Sequence, residues 1–81
     1  MAREEVCTLF LGDLGQLVGD MALEARRRRD SARGGPDEEF EAGRLMGLHE
    51  VVSLMQQQAD AFGLPRDVLR LEAIDPERDL L

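Results

Sequence analysis

The stretch LMGLHEVVSLMQQQADAFGLP, residues 45–65, decides the fold. Leu45, Leu48, Val52, Met55, Ala59 and Phe62 recur at alternating steps of three and four, the spacing that lines side chains along one face of an α-helix. Val51 and Leu54 broaden that face. Gly63 then stands where a helix ends in a left-handed residue, Leu64 offers the hydrophobic contact that goes with such an end, and Pro65 blocks continuation. A helix is therefore expected over about residues 37–62, with a sharp stop.

Upstream, DSARGGP at residues 30–36 is the one turn-rich cluster of the chain. Pro36 suits a first helical position, and Asp37, Glu38, Glu39 and Glu41 bring negative charge to the free N–H groups of a helix start. Before this loop lies another periodic stretch: Phe10, Leu14, Leu17 and Met21 continue a stripe begun by Cys7 and widened by Leu11, Val18 and Ala25. It predicts a helix over about residues 3–29. Glu4 and Glu5 fall in its first turn and Arg26, Arg27, Arg28 and Arg29 in its last, both favourable to the helix dipole. Gly12, Gly15 and Gly19 sit inside it at about 1 kcal/mol each relative to Ala, which points to a close approach of another backbone or to a kink. Gly43 and Gly47 offer the second helix a similar smooth patch.

After the stop, Leu64, Val68 and Leu71 keep helical spacing, so a short helix is expected over about residues 65–71, folding its apolar side back on the hairpin with Ile74. Asp75-Pro76 makes a turn. Residues 72–81 form a tail, frayed or docked, with Leu80 and Leu81 as anchors. The chain thus reads as one all-α domain over 1–81, an antiparallel helical hairpin with a short third C-terminal helix.

Two helices enclose no volume, because each buries only the strip facing the other. The stripes here are wider than that, and a small lone domain sits near balance between burial and chain entropy. Pairing two hairpins into a dimeric four-helix bundle removes the excess: Leu45, Leu48, Val52, Met55 and Phe62 would face Phe10, Leu14, Leu17 and Met21 from both chains. The alternatives are a monomer capped by the third helix and an obligate complex with another protein.

Composition narrows the function. The 81 residues carry 17 acidic and 10 basic side chains for a net charge of -7, with no lysine. Such a balance opposes non-specific binding to nucleic acid or anionic lipid. Val6 to Leu23 is apolar but broken by Asp13 and Asp20, so neither a membrane span nor a signal peptide is expected, and a cytoplasmic location is the default. Phe10, Phe40 and Phe62 are the only aromatics, too few for a base-stacking platform.

Candidate chemistry is sparse. Cys7 is read as core, having no neighbouring base. His49 beside Glu50 lacks the second His or the Glu-x-x-His spacing of a bundle metal site and is expected on a helix flank. Gln56, Gln57 and Gln58 are read as the polar side of the second helix. No enzyme, cofactor or metal is expected. The arginines of 26–29 could grip phosphate, yet they complement their helix end and are read as neutralised by Asp37, Glu38, Glu39 and Glu41. The expected function is that of a small acidic protein-binding module, neutralising or regulating a basic partner in the manner of an immunity or antitoxin factor or a regulatory subunit. The alternative is a dimeric nucleic-acid-associated regulator using Arg26 to Arg29.

Overall fold

The computed structural model describes all of residues 1–81 and contains helices and turns only. Helix α1 spans Arg3–Ser31 and helix α2 Glu38–Ala61. They pack as an antiparallel hairpin in a molecule 50 Å long, followed by a 3-10 turn at Arg66–Leu69 and a single helical turn, α3, at Pro76–Asp79. The two long helices end within two residues of where the sequence places them.

Local chemistry explains the ends. Gly34 adopts a positive φ of 77° in the loop, and its N–H donates to the Glu38 carboxylate at 3.0 Å, so the first residue of α2 reaches back to close the turn. Pro36 lies in that turn rather than at the first helical position. At the other end Leu64 N–H donates to Ala59 O at 2.8 Å and Gly63 N–H to Asp60 O at 3.1 Å. Those two bonds with Gly63 at φ 69° are the left-handed cap that the residues forecast.

The segment after Pro65 departs from expectation. In place of a short α-helix it makes the 3-10 turn, closed by Leu71 N–H to Arg66 O at 3.2 Å around Arg70 at φ 56°. A left-handed arginine costs about 1 kcal/mol, and the reversal it produces sends both Leu69 and Leu71 into the core. Asp75 then caps α3 by accepting the Glu77 N–H at 3.0 Å, with Pro76 opening the turn. The tail is docked: Leu80 is buried, Arg26 donates to Asp79 O at 2.9 Å, and Arg29 donates to Leu81 O at 3.0 Å.

This segment lies along one side of the hairpin, and α1 meets it with glycines. A Cβ on Gly15 would run into the Leu69 carbonyl, and one on Gly19 would stand 3.2 Å from the Leu71 side chain. The core is completed by Ala22, Ala25, Leu45, Val52 and Ala59. Close approach, not a kink, accounts for the α1 glycines. A methyl group on Gly43 or Gly47 would have nothing within 4 Å of it, so the smooth patch expected there packs nothing within the chain.

Two further expectations are corrected. The inward face of α1 is the small-residue row Gly12, Gly15, Gly19, Ala22 and Ala25, whereas Phe10, Leu14, Leu17 and Met21 are exposed. Backbone proximity to the C-terminal segment selects small side chains, and the bulky row is turned away by roughly a third of a helical revolution. Cys7 is exposed on that bulky row rather than in the core.

By length and composition α1 could cross a membrane, although 22% of its most apolar eighteen-residue stretch is buried within the chain. Having two apolar faces, one packed and one open, is what raises its hydropathy.

Asp79 ties α3 to acidity. Hydrogen bonds from Arg78 and from the Asp75 backbone N–H hold its carboxyl down at about 2, against an ordinary 3.8. A depressed folded pKa contributes stability that is present above the ordinary value and disappears as pH falls through the folded one. The α3 turn is therefore expected to loosen between about pH 4 and 2. Amide hydrogen exchange at Asp75 to Leu80 checks this, and Asp79→Asn should remove the acid dependence.

Candidate functional site

The C-terminal segment covers one side of the hairpin; the other side is open. From α1 it presents Phe10, Leu14, Leu17 and Met21, which are 62%, 40%, 54% and 49% exposed. From α2 it presents Val51 and Phe62, both exposed, with Leu48 and Met55 half-buried at its inner edge. Helix α2 thus carries two rows. Leu45, Val52, Gln56 and Ala59 point inward, and the row of Leu48, Val51, Met55 and Phe62 borders the open side. The sequence stripe of Leu45, Leu48, Val52, Met55 and Phe62 merges residues of both.

Toward the loop the open side turns polar. Glu24, Arg27, Arg28, Asp37 and Glu41 line a shallow hollow there. Arg27 donates to Glu24 at 2.8 Å and Arg28 at 3.2 Å, and those two hydrogen bonds, Arg27 first, hold the Glu24 carboxyl below its usual range. Glu41 and Arg44 are half-buried, and Glu41 Oε2 and Arg44 Nη1, like His49 Nε2 farther along α2, are buried without a hydrogen-bond partner within the chain.

The arginine run is paired within the chain. Arg26 and Arg29 pair with Asp30 besides holding the tail carbonyls, and Arg27 and Arg28 share Glu24. None of the four forms an ion pair with Asp37, Glu38, Glu39 or Glu41, contrary to the neutralising role the sequence suggested for those carboxylates. Glu24 and Asp30 win because they lie on the same helix, one turn from Arg26, Arg27 and Arg28 and next to Arg29, where pairs form at little entropic cost.

His49 is on the flank of α2, its side chain 17% exposed and its Nε2 3.9 Å from Glu77. No group of three or more His, Cys, Asp or Glu side chains could hold a metal ion. Gln56 is the functional-looking polar residue that sequence reasoning missed. It is 3% exposed, and its amide donates to Leu71 O at 3.0 Å and Ile74 O at 2.8 Å, fixing the C-terminal segment to α2. Its signal was positional: Gln56 falls on the inward row between Val52 and Ala59.

No family model matches the chain, and neither the curated proteins nor the solved structures contain a match.

Proposed function

We propose that the protein acts by binding, without catalysis, as a homodimer joined through the open face into a four-helix bundle whose acidic exterior engages and regulates a basic partner protein. The observation that carries this reading is the continuous exposed row Phe10, Leu14, Leu17 and Met21 beside Val51 and Phe62. Contiguous apolar surface on this scale is what interfaces use. A second copy fits it because the face is elongated and built from two long helices, so an identical face can lie along it in closed two-fold symmetry. Lipid fits less well, since a net charge of -7 is repelled by anionic headgroups. The acidic exterior raises the encounter rate with a cationic protein.

Sedimentation tests the dimer. The protein is expected to run near twice 9.1 kDa at micromolar concentration and to stay helical. Leu17→Glu, which puts two carboxylates into the shared face, should weaken association at least about tenfold, a loss of roughly 1.4 kcal/mol or more, with helicity retained in the monomer. A monomeric wild type that binds lipid vesicles would overturn the reading. Partner engagement is checked by capture from cell extract at rising salt: a basic protein should be retained and then released as charge is screened. Retention indifferent to salt would overturn the electrostatic part.

A further inference from the structure

Resting on the dimer reading, we infer that the second copy lies head to head, with both loops at the same end of the bundle, so that Arg28 of each hairpin meets Glu41 of the other and Glu24 meets Arg44. The open side of α1 follows one unbroken three-four row: Cys7, Phe10, Leu14, Leu17, Met21, Glu24, Arg28. That of α2 follows another: Glu41, Arg44, Leu48, Val51, Met55, Gln58, Phe62. Rows of this period are the seams along which helices pack. In an antiparallel hairpin, residues equally far from the loop share a level. Met21 therefore stands level with Leu48, Leu14 with Met55, Cys7 with Phe62 and Arg28 with Glu41, while Glu24 lies within a residue of the Arg44 level.

A two-fold axis along the hairpin lays α1 of one copy on α2 of the other with these levels kept. Apolar residues then meet apolar ones along most of the length, and at the loop end each charged residue meets its opposite. The alternative axis, perpendicular to the helices, lays α1 on α1 and α2 on α2 with the loops at opposite ends. Centred on Leu14 and Met55, that arrangement also matches apolar residues, but it leaves Glu24, Arg28, Glu41 and Arg44 largely beyond the end of the other copy. The charges at the loop end decide between the two. Only the head-to-head arrangement sets Arg28 opposite Glu41 and Glu24 opposite Arg44, and the Arg28 and Glu24 side chains, though bonded to each other at 3.2 Å, are still 56% and 44% exposed.

Two measurements test this on the whole chain. Spin labels on Arg33→Cys, in a Cys7→Ser background, should lie on the order of 20 Å apart in the dimer, about two helix spacings. Loops at opposite ends would be separated by about the 50 Å length of the molecule, and that result would overturn the proposal while leaving the dimer standing. In the second, Arg28→Glu and Glu41→Arg proteins are mixed. Each homodimer sets like charges against each other between copies, whereas the mixed dimer pairs both contacts, and any repulsion within a hairpin is the same in all three. The mixed dimer should exceed the statistical share several-fold, and the excess should shrink in high salt. A statistical mixture of intact dimers would overturn the proposal. A wild type monomeric at every concentration would overturn both the proposal and the dimer reading.

Discussion

Gly15→Ala is expected to destabilise the protein by about 1–3 kcal/mol, the usual cost of forcing an extra carbon into a packed site, although the same change in an open helix is favourable. The new methyl group would meet the backbone carbonyl of Leu69, which cannot swing aside as a side-chain tip can. Either α1 bends away or the C-terminal segment lifts. Gly47→Ala provides the opposite sign, because nothing lies within 4 Å of the added carbon, and removing a mid-helix glycine should stabilise by up to about 1 kcal/mol. Urea midpoints of both variants, at one fixed protein concentration because dimerisation shifts apparent stability, give the comparison. Equal shifts for the two would sink the claim that the α1 glycines serve a backbone contact.

Gln56→Leu is the second large effect. The substitution keeps the volume but removes the only side-chain donor to Leu71 O and Ile74 O. Leu71 O keeps the long bond from the Ile74 N–H at 3.4 Å, so Ile74 O is the carbonyl left without a partner, and the expected loss is about 1–3 kcal/mol, less whatever water recovers. The distinguishing sign is location: amides of residues 66–80 should lose hydrogen-exchange protection well before those of α1 and α2. A uniform loss of protection across the molecule would mean that Gln56 supports the hairpin itself rather than the segment laid on it.

The hairpin was legible because its boundaries are set by local chemistry. Gly63 followed by Leu64 and Pro65 stops α2 where the residues say, and the glycine loop with its acidic successor starts it. Which face of α1 turns inward was not legible. Hydrophobic periodicity weighs bulk, so it favours Phe10, Leu14, Leu17 and Met21. The packed face is made of Gly12, Gly15, Gly19, Ala22 and Ala25, where the gain is proximity rather than side-chain size. The tail reads equally as frayed or docked because, the buried Leu80 apart, its anchors are bonds from Arg26, Arg29 and Gln56 to backbone carbonyls. A carbonyl belongs to every residue and leaves no mark on a sequence pattern. Glu24 and Arg28, by contrast, continue the bulky row of α1 in plain view, but stripes are ordinarily ended at the last apolar residue, which here hides the polar end of the open face.

The distance along the chain between α1 and the segment that covers it governs how the molecule assembles in time. Arg26 and Asp79, which bond to each other, are 53 residues apart, while the hairpin closes through a loop of a few residues. Contacts distant in sequence carry the larger closure entropy and tend to form late. The hairpin is then the early event, and the C-terminal segment acts as the closing step. Weakening it with Gly15→Ala or Gln56→Leu should hasten unfolding in stopped-flow measurements while leaving the refolding rate nearly untouched. The segment sets how long the folded state lasts more than how quickly it is reached.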